Sequence, residues 1–147
     1  MRQKVAIYPG SFDPWHEGHS NIFMKAAKIF DKIIIVQAIN PEKRPESRAL
    51  DLLKIQIAEE FRCWDGIKVI HHEGLLSDLK FKYDAIIRGL RNGYDLQYEM
   101  NQQYWYEDTG IKVPIVLFIC DRDLTHISSS SIRALKKLES ISKKSRT

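Results

Sequence analysis

The chain has 147 residues, a length that fits one domain with a single core of its own. Hydrophobic residues make up 44% and charged residues 29%, which is ordinary globular usage and excludes a disordered or fibrous chain. The formal charge of +4 gathers largely in the stretch "KKLESISKKSRT", Lys136 to Thr147, so it reads as a solvated end and not as a nucleic-acid surface.

No apolar run approaches the roughly 20 residues that cross a membrane. The opening "MRQKVAIYPG" lacks the apolar stretch and small-residue cleavage site of a secretory leader. The cytosol is the expected compartment, with no membrane partner. Cys63 and Cys120, the two cysteines, lie far apart and form no C-x-x-C pair, so both are expected to be reduced and mostly buried.

Short Val- and Ile-rich runs alternate with stretches of helical period, the pattern of a parallel sheet covered by helices on both faces. A first strand is expected at "KVAIY", Lys4 to Tyr8. A helix follows from Gly18 to Asp31, where Ile22, Phe23, Ala26, Ala27 and Phe30 form an apolar stripe. "KIIIVQAI", Lys32 to Ile39, carries four successive apolar residues with no polar face and belongs in the sheet interior. After the polar turn "NPEKRPES", Ser47 is the expected N-cap of a helix with Leu50, Leu53, Ile57 and Phe61 at helical spacing. "IKVIH", Ile67 to His71, is the third strand and "DAIIRG", Asp84 to Gly89, the fourth. A helix rich in aromatics and amides runs from Tyr94 to Glu107, followed by "PIVLFI", Pro114 to Ile119, and a closing helix from Ser129 to Leu138. The fold class is α/β: one doubly wound, Rossmann-like domain with a five-stranded parallel sheet, in which ligands sit at the C-terminal ends of the strands.

On that layout Gly10, Ser11, His16, His19, Lys43, Arg88, Arg91 and Ser128 to Ser131 all follow strand ends or open helices, and they are expected to converge on one crevice. Gly10 admits a bulky group close to the backbone, Ser11 offers a hydroxyl, and a helix opening near Gly18 aims free amides and a positive dipole end at the same place. That suits a phosphate. Neither G-x-x-x-x-G-K-[ST] nor G-x-G-x-x-G occurs, so a P-loop kinase and a typical dinucleotide dehydrogenase are not supported. "HEGH" sets its histidines at i and i+3 around a glycine, not at the i and i+4 of a zincin helix, and no third ligand is evident, which argues against a metal pair.

"GSFDPWHEGH" resembles the H-x-G-H signature of the nucleotidyltransferase superfamily, and "ISSSSIR" resembles its second signature near the C-terminus. Nicotinamide-mononucleotide adenylyltransferases and glycerol-phosphate cytidylyltransferases share the first of these. The stretch "IIRGLRNGYDLQYEMNQQ", Ile86 to Gln103, resembles the longer R-G-L-R-x-x-x-D-x-x-Y-E segment of bacterial phosphopantetheine adenylyltransferases, and "NPEKRP" and "GLL" at Gly74 to Leu76 fall where that family has them. The resemblance covers nearly the whole chain. It implies transfer of the adenylyl group of ATP to 4'-phosphopantetheine, with magnesium bridging the triphosphate and a homohexameric assembly. A nucleotide-binding regulatory module without turnover is the alternative of another class, and the intact His19, Lys43 and Arg91 argue against it.

The residue roles that follow are those the resemblance implies. His19, Lys43 and Arg91 are the catalytic set, His19 contacting the α-phosphate and Arg91 clamping the β- and γ-phosphates with the amides that open the helix after Ile127. Ser11 and Lys43 hold the acceptor phosphate, and Arg88 and Leu76 contact the pantetheine arm. Phe12, Gly89, Leu90 and Glu99, with the run Leu124, Thr125, His126, Ile127, Ser128, Ser129 and Ser130, fall in the ATP site, as does Ser11. Two positions depart from the family: Ser11 replaces a frequent threonine and keeps the hydroxyl, and His16 stands where threonine is usual, a residue read here as shaping the turn.

Overall fold

The computed structural model describes residues 2–39 and 47–145. Among the described residues, five strands and four helices follow in the order β1 (Val5–Gly10), α1 (Glu17–Ala27), β2 (Lys32–Ile39), α2 (Ser47–Glu60), β3 (Ile67–Glu73), β4 (Ala85–Leu90), α3 (Gly93–Asp108), β5 (Ile115–Ile119) and α4 (Ser129–Ser145). Short 3-10 turns occupy Leu76–Asp78 and Arg122–Leu124. The elements fall where the hydrophobic pattern puts them, with shifted ends. α1 stops at Ala27, four residues before the expected end, and α4 runs seven residues past Leu138. Lys43, Arg44 and the capping side chain expected of Ser47 lie outside the described residues.

The sheet is wholly parallel, in the order β3-β2-β1-β4-β5. Strand alternation sorts its side chains onto two faces. Ala6, Tyr8, Ile33, Ile35, Ala85 and Ile87 pack with Ile22 and Phe23 of α1 and with Leu53 and Ile57 of α2. Ile7, Ile34, Val36 and Ile86 pack on the other side with Tyr106 of α3 and with Ile111. The run Ile33 to Val36 is at most 5% exposed, as expected for an interior strand covered on both sides.

The chain winds outward from β1 through β2 to β3, then returns to the other side of β1 for β4 and β5. β1 is therefore the topological switch point, where a crevice opens beyond the strand ends. The pairing makes the opening explicit. β1 is in register with β2 along its whole length, from Val5↔Lys32 to Gly10↔Gln37, but with β4 only at Ala6↔Ala85 and Ile7↔Ile86. Beyond Ile7 and Ile86 the two strands part.

Candidate active site

A cavity of about 370 Å³ occupies that parting. From the expected set it is lined by Gly10, Ser11, Phe12, His16, His19, Arg88, Gly89, Leu90, Arg91, Glu99, Ile127, Ser128 and Ser129. Leu76, Leu124, Thr125, His126 and Ser130 do not line it. Leu76 packs against the core on the α3 side, Leu124 against the core on the α1 side, and His126 faces solvent.

The turn between β1 and α1 folds back on itself. Phe12 takes φ 47°, the left-handed region, and its ring is buried edge-on to Tyr8 and His19, with centroids 5.1 and 4.9 Å away. His16 is the N-cap of α1. Its Nδ1 accepts from the Gly18 amide at 3.1 Å, and the His16 amide donates to His19 Nδ1 at 3.1 Å, closing a capping box from two histidines. The rings stack with centroids 3.7 Å apart and planes at 19°. Gly18 is what permits this, because a Cβ there would meet the His16 ring at 2.9 Å. H-x-G-H is thus a helix opening in which the first histidine caps, the glycine clears space for it, and the second is held by its Nδ1.

An Nδ1 that accepts a backbone hydrogen bond carries no proton, so the neutral His19 ring bears its hydrogen on Nε2. Burial, and then the nearby His16, Arg88 and Arg91, lower its pKa to about 3. At neutral pH His19 is therefore an uncharged N–H donor on the cavity and not a proton reservoir. Burial, followed by Arg91, lowers the pKa of His16 as well.

Two arginines close the β4 side, each with its own carboxylate from α3. Arg88 Nε donates to both Glu99 oxygens at 2.9 and 3.0 Å, and its Nη1 donates to the Pro9 carbonyl at 2.7 Å, bridging β4 to β1 where the ladder has ended. Arg91 donates to Asp95 through its amide, Nε and Nη2 at 2.8, 3.1 and 3.3 Å, while its Nη1 reaches the Ile127 carbonyl at 3.4 Å. Burial works against the Arg88 charge, but the Glu99 carboxylate overcomes it and holds the guanidinium above its ordinary value. Burial likewise opposes ionisation of Asp95, and the hydrogen bonds from Arg91 keep its carboxyl below the usual range. Gly89, between the arginines, lies against α1, and a Cβ there would meet Ile22 Cγ1 at 2.7 Å.

The third wall is the start of α4. Ser128 caps it, its Oγ accepting from the Ser131 amide at 3.1 Å. Ser129 Oγ donates to the Pro14 carbonyl at 2.9 Å, Ser130 Oγ accepts from Arg133 Nη2 at 3.3 Å, and Arg133 Nη1 donates to the Asp13 carbonyl. With these hydroxyls engaged, what the serine run offers an anion is the free amides of the first helical turn. Asn21 and Lys25 of α1 pin the approach to this turn. Asn21 exchanges two hydrogen bonds with Asp121 at 2.7 and 2.9 Å, and Lys25 pairs with Asp121 at 2.8 Å.

A family model described as cytidylyltransferase-like matches residues 7–135. A phosphopantetheine adenylyltransferase of Clostridium novyi is 35% identical over 134 residues, covering 88% of this chain and 81% of that one. Another, from Porphyromonas gingivalis, is 36% identical over 142 residues, covering 92% and 88%. The chain belongs to the phosphopantetheine adenylyltransferase family. Among solved structures, a bifunctional NMN adenylyltransferase/ADP ribose pyrophosphatase from Francisella tularensis superposes with TM-score 0.60 at 12% identity, over 90% of this chain and 41% of that one. At that identity the likeness shows the fold and no more.

Set against the family motif, the spacing R-G-L-R-x-x-x-D-x-x-x-E has a structural reason. Asp95 and Glu99 are one helical turn apart on the same face of α3, and each meets one of the arginines at the end of β4. Sequence reasoning gave Asp95 no role, although the Arg91-to-Asp95 interval of four was a legible sign. Cys120, buried at the end of β5, also lines the cavity, and nothing in the sequence marks it. Cys63, expected to be mostly buried, is exposed in the turn after α2, between Phe61 and Trp64, whose side chains pack against the core in its place.

Proposed function

We propose that the chain transfers the adenylyl group of ATP to 4'-phosphopantetheine, giving dephospho-coenzyme A and pyrophosphate, the penultimate step of coenzyme A synthesis. A phosphate oxygen of the acceptor attacks the α-phosphorus, and the bond from that phosphorus to the oxygen bridging to the β-phosphate breaks. Pyrophosphate carries the electron pair away. The attacking oxygen is already an anion, so no side chain has to act as nucleophile or base, and the protein supplies position and charge stabilisation. The observation that carries this reading is the convergence on one crevice of a neutral imidazole donor, two pre-oriented arginines and a helix N-terminus. Kinship with relatives named for phosphopantetheine supplies the acceptor.

In this reading His19 Nε2–H donates to a non-bridging oxygen of the α-phosphate, where negative charge accumulates in the transition state. Arg91 and the first amides of α4 take the β- and γ-phosphates. Ser11 and Lys43 hold the acceptor phosphate and Arg88 its arm. The carboxylates lining the cavity, Asp95 and Glu99, are both engaged by arginines, which fits a magnesium ion carried on triphosphate oxygens and water and not in a protein cage. Such an ion would supply neutralisation of triphosphate charge.

Two further assignments belong to the same reading. Tyr94, Tyr104 and Trp105 of α3 are 53–89% exposed, and we assign them to contacts within a homohexamer, whereas Tyr98 of the same helix lines the cavity. The cytosol is taken as the compartment, consistent with there being, among the described residues, no helix long and apolar enough to cross a membrane.

The test supplies magnesium and ATP with 4'-phosphopantetheine, nicotinamide mononucleotide or glycerol 3-phosphate in parallel, repeats each with CTP, and follows pyrophosphate. Release is expected only with ATP and 4'-phosphopantetheine. Release with nicotinamide mononucleotide and none with 4'-phosphopantetheine overturns the assignment.

A further inference from the structure

Gln37 is out of place in β2. The strand lies inside the sheet behind the apolar run Ile33 to Val36, and an amide buried there disfavours folding unless its donor and its acceptor are both bonded. Gln37 is 4% exposed, and among the described residues its Oε1 is buried without a partner. Its Nε2 donates to the Ser11 carbonyl at 3.0 Å. A buried side chain satisfied on one atom only calls for a reason other than stability.

His71 supplies a comparison within the sheet. It is the register partner of Gln37 on β3 and shares its face, and both of its ring nitrogens are buried without a hydrogen bond. His71 is half-buried with Asp51 and Lys54 of α2 for company, and it holds nothing that lines the cavity. Gln37 does not line the cavity either, but the carbonyl it holds belongs to a residue that does.

The bond falls where the sheet lets go of β1. The ladder between β1 and β2 ends at Gly10↔Gln37, so the Ser11 carbonyl lies just past it, and the Gln37 side chain extends the pairing by one residue. A trans peptide is planar, with its C=O and N–H pointing opposite ways. Holding the Ser11 carbonyl toward β2 therefore turns the Phe12 N–H away from β2, to the side of the crevice that Ser11 and Phe12 line. Among the described residues that N–H has no protein acceptor. Phe12 sits at φ 47°, and its ring folds back over Gly10, where a Cβ would meet it at 2.9 Å. A left-handed residue in a doubled-back turn does not keep one peptide orientation by its own preference, and Gln37 is the bond that reaches this peptide from outside the turn.

From this geometry we infer that Gln37 is a positioning residue for the reacting phosphates. By holding the Ser11–Phe12 peptide it presents the Ser11 hydroxyl and the Phe12 N–H to the crevice, and it lowers the stability of the sheet in doing so. The inference rests on the adenylyl-transfer reading above.

Two substitutions remove the N–H that meets Ser11 while moving stability in opposite directions. Gln37→Met keeps nearly the same shape and buries no polar group, whereas Gln37→Glu keeps the shape and buries a carboxylate. The measurements are urea melts and initial rates with both substrates varied. Gln37→Met is expected to unfold at the wild-type urea concentration or above. Its kcat falls roughly 10-fold with both KM values changed less than about threefold, the pattern of reactants that bind but align poorly. Gln37→Glu is expected to unfold earlier and to lose at least as much kcat. His71→Val, on the same face but without a bond to the turn, keeps kcat within about twofold of the wild type. Wild-type kcat in Gln37→Met overturns the inference. So does a kcat that follows stability from Gln37→Met to Gln37→Glu, which marks a purely structural role, and so does a rise in KM with kcat intact, which marks binding without alignment. If Gln37→Glu fails to fold, Gln37→Met and His71→Val still decide. Should the wild type use another acceptor, that acceptor replaces 4'-phosphopantetheine in the same comparison. A wild type that turns over none of them overturns the reaction itself, and this inference with it.

Discussion

On one wall of the crevice, the turn from Ser11 to His19 orients its imidazole through bonds that span two or three residues: Gly18 amide to His16, His16 amide to His19, and one ring stacked on the other. On the adjoining wall, the opening of α4 is held by partners about a hundred residues away: Ser129 and Arg133 on the carbonyls of Pro14 and Asp13, and Asp121 on Asn21 and Lys25. The first wall is built by local geometry. The second is built by the assembled fold and depends on every contact that brings β5 beside α1. In the proposed reaction the chemistry asked of them would differ accordingly, the histidine meeting one reacting centre and the helix opening cradling a diffuse polyphosphate charge.

That contrast can be broken at four places, from the largest expected effect to the smallest. His19→Ala removes the donor at the reacting centre and is expected to lower kcat by roughly 100-fold or more, the usual loss for one oxyanion donor, with circular dichroism unchanged. Near-wild-type turnover would refute the role of His19. Gly89→Ala forces a methyl into Ile22 between the two walls, and urea melts should show a loss of about 1–3 kcal/mol. Gly18→Ala pushes the His16 ring off its cap, with a stability loss of about 1 kcal/mol expected together with a fall in kcat. A change in stability with kcat intact would mean that His19 holds its orientation without the capping box. Asn21→Ala releases the approach to α4 and is expected to cost no more than about 1 kcal/mol, with a small rise in the KM for ATP and kcat unaltered. An altered kcat there would show that the walls are coupled.

The acid dependence follows from His19. Its folded pKa of about 3 lies below the ordinary histidine value, so the folded state binds this proton less readily than the unfolded chain does. The stabilisation is complete above about 6.5, the unfolded value, and is lost as pH falls from there toward 3. His19→Asn is expected to flatten that part of the stability profile. In the wild type, kcat should carry no titration of this imidazole between about pH 5 and 8.

Strand and helix identities were legible because each element carries a strong period, as in the unbroken "IIIV" of β2 and the apolar stripe of α1. The ends were less so. Phe30 continues the apolar stripe of α1 yet lies past the helix, since buried contacts with the core satisfy it in a turn as well. The histidine wall was legible residue by residue, apart from the discovery that His16 caps the helix. The arginine wall was legible as a motif but not as a mechanism: Glu99 carried a nucleotide role by its motif position, and only the fold brings its carboxylate against Arg88. The serine run was legible as a helix opening, but which hydroxyls are engaged depends on Asp13 and Pro14, far away in sequence.

By itself the sequence determined the class of the sheet, the position of β2 inside it, the phosphate-suited turn and the family, because these depend on periodicity and on groups a few residues apart. Strand order belongs to the tertiary structure. That β4 returns beside β1, pairs with it at two positions and then parts from it cannot be read from either strand alone, because both are equally apolar. That parting is what sets His19, Arg88, Arg91 and the opening of α4 around one cavity.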